Sequence, residues 1–262
     1  MSNEKSMRYE MFRKGIFIDP MVEISKLNQL VKLIRPLKID TELIRMGAAS
    51  DGGYLIPNDL DGITSCFSPG VDNIASFEQA LATRSIGSHL ADFSVDTPPP
   101  KTSALSFEKK YIDAVTHGHF ISLEDWVNTY EPQSTGDSLI LQMDIEGSEY
   151  KSLLACPEYI LNKFRIMVIE FHQVESWSQV DFFSIVEAVF AKLLQTHSVV
   201  HSHPNNVMGL VDLNGFLAPR VFEMTFYTTN KVRSSTFASL PHPLDQSNVV
   251  EMPPLEFPSN WL

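Results

Sequence analysis

The chain is predicted to fold as an α/β protein, with a mostly parallel sheet carrying helices on both faces and closing on an antiparallel C-terminal hairpin. Two observations predict this. From residue 63 onward, short continuous apolar runs alternate with segments whose apolar positions recur at helical spacing, the pattern of strands joined by crossover helices. The last two apolar runs, SVVHSH at 198–203 and VFEMTFYTT at 221–229, are separated by a turn-rich stretch without helical period, so they pair as a hairpin.

The elements follow in order. At 21–35, Ile24, Leu27, Leu30, Val31 and Ile34 fall on one helical face, and Pro36 ends the helix. SDGGYLIPNDLDG at 50–62 sets glycines, Pro57 and Asp/Asn turns around a short strand, Tyr54, Leu55 and Ile56. ITSCF at 63–67 is a strand broken by SPG, and Ile74, Phe77 and Leu81 then share a helical face. SHLADF at 88–93 is a strand, stopped by the Pro-rich VDTPPPK. The 101–120 stretch is ambiguous apart from a strand near 119–121, after which Ser122 caps a helix with Asp125 in its first turn. LILQMDIEG at 139–147 is a buried strand ending in carboxylates, followed by a helix interrupted near Pro157. RIMVIEFH at 165–172 is a further strand, and 179–195 is a helix with a wide apolar face. The segment from Leu240 is Pro-rich and expected to run extended over the surface. The domain organisation expected is a helical extension over 1–49, the α/β domain over 50–235 and the C-terminal tail, packed on that domain, over 236–262.

Composition excludes several classes. With 262 residues, 44% of them hydrophobic, the chain can bury a large core without staples. Asp and Glu outnumber Lys and Arg 32 to 20, a net charge of −12, which repels a nucleic-acid backbone from the average surface. Two cysteines, Cys66 and Cys156, are too few for a disulfide framework or a cysteine zinc site. No run approaches the roughly 20 apolar residues of a membrane helix, and the polar N-terminus has no signal core, so the expected compartment is the cytoplasm.

Ligands of open parallel sheets bind beyond the carboxyl ends of the strands. After the first sheet strand stand Ser68, Gly70, Asp72 and Asn73, in a turn where backbone N–H groups approach a ligand. One glycine in place of three makes this a weak dinucleotide signal, equally readable as an ordinary strand-helix turn. Asp92, 22 residues after Gly70, stands where such folds place a carboxylate for ribose hydroxyls. Asp144 directly follows an apolar strand, an expensive place for a charge without a partner, whereas Glu149, and in part Glu146, is accounted for by the helix dipole. Residues two apart on a strand share a face, so Glu170 joins His172, and His201 joins His203. Glu223 points either to the same pocket or to solvent, and Trp126 and Trp177 either stack on a sugar or pack in the core.

Taken together, DGGYLIP at 51–57, FSPGVDNIASFE at 67–78, DFSVDTPP at 92–99, SLEDW at 122–126, MDIEGSE at 143–149, EFH at 170–172 and HSHPNN at 201–206 resemble the FkbM-type S-adenosylmethionine-dependent methyltransferases. The resemblance implies a seven-stranded, Rossmann-like class I methyltransferase fold and S-adenosylmethionine as methyl donor. It places Ser68, Gly70, Asn73 and Glu78 along the methionine and ribose part, Asp92 on the ribose, and Asp144 at the cofactor. It also implies a small-molecule or glycan acceptor, methylated on a hydroxyl. Two departures stand out: a single glycine in the 68–73 loop, and Phe93 where the close subgroup carries histidine.

Methyl transfer to a hydroxyl needs positioning and a base. His172, oriented by Glu170 or Asp144, is the expected base, with His201 or His203 as the alternative. Asp144, Glu170, His172 and His201 would equally suit a divalent metal such as magnesium or manganese. The rival functions are a metal-dependent hydrolase using Asp144, Glu146, His201 and His203, and a catalytically silent carbohydrate-binding protein.

Overall fold

The computed structural model describes residues 3–16, 18–71, 74–96 and 104–262. Helix α1 (Asn3–Arg13) and the amphipathic α2 (Ile24–Leu33) come first. An antiparallel hairpin follows, β1 (Leu43–Gly47) and β2 (Gly53–Pro57). Next are β3 (Ser65–Pro69), α3 (Ser76–Ala82), β4 (Gly87–Ala91) and β5 (Leu105–Glu108). A short parallel pair, β6 (Tyr111–Asp113) and β7 (Phe120–Ser122), leads into α4 (Leu123–Tyr130), whose first turn is capped by Ser122 accepting the Asp125 N–H at 3.1 Å. Then come β8 (Leu139–Met143), α5 (Glu149–Ala155), α6 (Glu158–Leu161), β9 (Phe164–Phe171), α7 (Val180–Leu193) and β10 (His197–Pro204). The short hairpin β11 (Leu210–Asp212) and β12 (Leu217–Pro219) precedes β13 (Phe222–Thr228).

The main sheet has the order β5-β4-β3-β8-β9-β13-β10. Pairings from β5 through β9 are parallel, and β13 runs against both β9 and β10. This is the seven-stranded, mostly parallel, Rossmann-like sheet expected from the sequence, with the final strand of the hairpin inserted between β9 and β10. The chain leaves β3 outward to β4 and β5 and returns to β8 on the other side. That reversal opens a crevice beyond the carboxyl ends of β3 and β8, where ligands of such sheets bind.

Strand alternation sorts the two faces. Leu141, Met143, Met167, Ile169, Phe171, Met224 and Phe226 enter one large core with α2, α4, α5 and α7 residues such as Leu30, Trp126, Leu153 and Phe190. Their neighbours Ile140, Ile166, Val168 and Tyr227 face a smaller core built from Phe77 and Leu81 of α3 and Met46, Tyr54 and Ile56 of the β1–β2 hairpin. The second face also carries Gln142, Glu170 and Glu223 in the same alternation. Polar side chains at the strand ends therefore gather under the hairpin and α3, away from the helical layer.

Several features depart from the sequence expectation. Strand β1 lies before residue 49 yet pairs fully with β2, because Gly53 lets the two chains meet: a Cβ there would sit 1.9 Å from the Ala48 carbonyl oxygen. The C-terminal segment does more than lie on the surface, since Phe257 and Trp261 join the large core and Trp261 stacks on Trp177. Trp126 and Trp177 are fully buried, so both pack and neither is open to a sugar. Among the described residues no helix is long and apolar enough to cross a membrane.

Candidate functional site

Glycine 70 joins the tips of two strands. Its φ is +82°, and a Cβ there would fall 1.4 Å from the Asp144 carbonyl oxygen, so only glycine fits between β3 and β8. Backbone bonds from Gly70 N–H to Ala91 and from Asp144 N–H to Pro69 tie three strand ends together. Two cavities open on this junction and share Gly70 and Asp144. The larger, about 540 Å³, runs toward β4 and the β6–β7 pair, between Asp92, Ser94, Lys110, Tyr111, Ile112, Phe120 and Ile145. Its volume suits a small-molecule cofactor. The smaller, about 90 Å³, lies under the hairpin between Asp51, Tyr54, Ser76, Glu78 and Gln142.

Each wall has a local cause. Asp92, 8% exposed, ends β4 and accepts the Ser94 N–H at 2.8 Å and the Ser94 hydroxyl at 2.6 Å, which fixes its carboxylate at the cavity rim. Phe93 packs against the His119 and Tyr111 rings. The Ser68 hydroxyl, fully buried behind two walls of the smaller cavity, lies in hydrogen-bond contact with Glu78 and 2.5 Å from Gln142 Oε1. Burial raises the Glu78 pKa, against the lowering bond from the Ser68 hydroxyl.

Carboxylates line the tips of β8, β9 and β13. Glu170 and Glu223 are directly opposite in the β9–β13 register. Both are buried; Asn205 Nδ2 donates to Glu170 at 2.8 Å, and Asn248 Nδ2 donates to Glu223 at 2.6 Å. Burial, and then the mutual repulsion with Glu223, pushes Glu170 up to about 8. Burial, and then the charge of Asp51, lifts Glu223 to about 8 against the lowering bond from Asn248. Asp144 is pushed up to about 9, by burial first and by Glu170 second.

His172 stands just beyond β9. Its Nδ1 is 2.9 Å from Glu149 Oε1, and its Nε2 lies 3.6 Å from Asp144 Oδ1 and 3.5 Å from Glu146 Oε2. Glu149 is completely buried, and the same oxygen accepts the N–H groups of Ile145 and Gly147. It therefore closes the DIEG turn, where Glu146 and Gly147 both have positive φ, and holds the imidazole at once. Burial opposes a charge on His172, but the Glu149 bond and the Asp144 and Glu146 carboxylates raise its pKa overall.

The structure brings Gly70, Glu78, Asp92 and Asp144 to the cavities, keeps Ser68 buried behind them against Glu78, and sets Glu170 and His172 beside Asp144. Asn73 and Asp72 lie outside the described residues. His201 and His203 are not part of this group. Both turn to Asp245 of the C-terminal segment, at 3.0 and 3.8 Å, and the two histidines hold the Asp245 pKa below its usual range although burial works the other way. Burial in turn lowers the His201 pKa. The expected metal quartet of Asp144, Glu170, His172 and His201 is therefore not gathered at one point. Among the described residues, Asp144, Glu149 and His172 are the three whose donor atoms lie within 4.8 Å of one another.

The orienting partner of His172 is Glu149, a residue whose sequence context speaks only of a helix first turn. Tyr111, Phe120 and Lys110 came from the ambiguous 101–120 stretch, and no pattern in the Pro-rich tail marks Asn248. The signal for Gln142 was the single amide in an otherwise apolar strand.

No protein-family model matches the chain, and no curated protein matches it in sequence. Among solved structures, a protein described as a hemolysin from Streptococcus thermophilus is similar with a TM-score of 0.40 and 10% identity, over 69% of this chain and 63% of that one. The chain thus spans less than two thirds of that protein. The N-methyltransferase NodS from Bradyrhizobium japonicum gives a TM-score of 0.36 and 10% identity over 63% and 86% of the two chains. Magnesium protoporphyrin IX methyltransferase from Synechocystis gives 0.32 and 12% over 64% and 75%.

Proposed function

We propose that the chain is an S-adenosylmethionine-dependent O-methyltransferase acting on a hydroxyl of a sugar or glycosylated acceptor. The observation that carries the reading is the pair of adjoining cavities at the sheet's reversal point, with Asp92 on one wall and Asp144 at the junction, 3.6 Å from His172 Nε2. The residues fit such a donor. Asp92 offers a fixed carboxylate to ribose hydroxyls, the aromatic and aliphatic wall of Tyr111, Ile112 and Phe120 suits a base, and Gly70 leaves the backbone open. Glu78 and Asp51, at the smaller cavity, suit the polar methionine end, and Ser68 bonds Glu78 from behind that wall.

When bound, the donor supplies an electrophilic sulfonium methyl that needs little further activation. The chain's own work is orientation and proton removal. Glu149 holds Nδ1–H of His172, which leaves the Nε2 lone pair free toward Asp144. Nε2 of His172 would take the proton of an acceptor hydroxyl seated against Asp144, while the methyl would pass from sulfur to that oxygen and leave the donor as the neutral thioether. The imidazolium so formed would be stabilised by Glu149 and Glu146.

Calorimetry with S-adenosylmethionine and S-adenosylhomocysteine tests the first half, and micromolar binding is expected. A screen of glycan acceptors with labelled donor tests the second. No binding of either nucleoside sinks the reading.

A further inference from the structure

The C-terminal segment reaches the candidate site through one side chain. Asn248 is 5% exposed, and its Nδ2 donates to Glu223 Oε1 at 2.6 Å and faces Asp51 Oδ1 at 3.4 Å. The backbone joins in: the Asp51 N–H donates to the Asn248 carbonyl at 3.0 Å. Asp51 and Gly52 wall the smaller cavity, and the Gly52 carbonyl accepts the Ser76 hydroxyl at 2.8 Å, which connects the same turn to the start of α3. One amide therefore bridges β13 and the β1–β2 turn. Without it, Glu223 and Asp51 would lose the side chain that joins them, leaving the Arg45 guanidinium as the cation that acts on Glu223.

The segment is held on either side of Asn248 by separate devices. Asp245 pairs with His201 and His203. Asn206 donates to the carbonyls of Val249 and Pro253 and accepts the Val249 N–H, while Phe257 and Trp261 sit in the large core. None of these anchors lines either cavity at the sheet's reversal point. The fold could keep the segment in place without Asn248, so the amide is free to serve the site.

We propose that Asn248 is a positioning residue of the candidate site: by bridging Glu223 and Asp51 it sets the turn that closes the cavity at the methionine end of the donor. The inference rests on the reading of the cavities as a donor site. It adds that a residue of the C-terminal segment governs donor affinity through Asp51, with no donor contact of its own.

The test compares Asn248→Ala, Asn248→Asp and Asn206→Ala in the full chain, reading S-adenosylhomocysteine affinity by calorimetry and Tm by thermal unfolding. Asn248→Asp keeps the shape of the side chain and replaces the bridging donor with a third carboxylate, so it stays informative where the alanine variant loses fold. Both Asn248 variants are expected to weaken binding about tenfold, the loss of the amide hydrogen bonds to Glu223 and Asp51. Asn206→Ala is expected to lower Tm at least as much and to leave affinity within about twofold, because the Asp245 and Trp261 anchors remain. Wild-type affinity in Asn248→Asp, or an equal loss in Asn206→Ala, overturns the proposal. A wild-type chain that does not bind the nucleoside overturns the donor-site reading itself, an outcome distinct from the other two.

Discussion

Glu149 Oε1 lies 2.9 Å from His172 Nδ1, and the glutamate that makes this bond has no exposed surface. A buried carboxylate on Nδ1 fixes which imidazole nitrogen carries hydrogen and directs the other lone pair toward Asp144. Glu149→Gln keeps the size of the side chain but offers an amide N–H to Nδ1, which favours the opposite tautomer. Methyl transfer by this variant is expected to fall at least about 100-fold, with S-adenosylhomocysteine affinity within a few-fold of wild type. Single-turnover transfer from labelled donor, alongside calorimetry, checks the split. A parallel loss of binding and rate would make Glu149 a purely structural closure of the DIEG turn.

Gly70→Ala should be costly twice over. Its Cβ would overlap the Asp144 carbonyl, and φ of +82° strains any other residue. The tips of β3 and β8 have to separate, so a loss of about 2 kcal/mol or more is expected in urea unfolding, accompanied by loss of nucleoside binding. A variant that unfolds like wild type and still binds would show that the strand tips are looser than described.

Asp92→Ala is expected to weaken S-adenosylmethionine and S-adenosylhomocysteine by the same factor, about tenfold or more, because the ribose is common to both. Asp92 also anchors Ser94, so Tm is measured beside affinity. Unequal losses for the two nucleosides would place Asp92 near the sulfur instead.

Stability should fall with alkalinity. Glu170 and Glu223 hold their protons in the folded state up to about pH 8, against an ordinary value near 4.5. Between those limits the folded state binds more protons than the unfolded chain, so the stability they contribute is complete below about pH 4.5 and is lost as pH rises through about 8. Other groups titrate in the same range, so the decisive comparison is with Glu223→Gln, which should flatten the decline of Tm from pH 6 to 9 and unfold at higher temperature than wild type at pH 9. A parallel decline in both proteins would show that Glu223 is ionised in the fold at neutral pH.

The sheet was legible because its strands are continuous apolar runs and its crossovers carry helical period, as in LILQM at 139–143 and the α7 stretch. Strand β1, LIRMG, was not legible, since its pairing depends on Gly47 and Gly53 bringing two backbones together, a tertiary fact. The grouping of Asp144, Glu170 and His172 followed from strand ends and alternation. The same alternation paired His201 with His203 and grouped them with Asp144, but they stand at the far edge of the sheet, where Asp245 meets them. No local pattern announces that a carboxylate more than 40 residues downstream will occupy a histidine pair. Glu149 was hidden for the opposite reason: a helix first turn explains a glutamate so well that no further role was needed.

The alternation along β9 has an effect on folding as well as on chemistry. Glu170 and Phe171 are adjacent and serve opposite faces, one beneath the β1–β2 hairpin and the other against Phe190 of α7. A slip of β9 by one residue against β13 would thrust a carboxylate among the phenylalanines and leave an aromatic ring among the carboxylates. Misaligned sheets are thereby penalised on both sides at once, so the residues that equip the crevice also proofread the pairing of the strands that carry them.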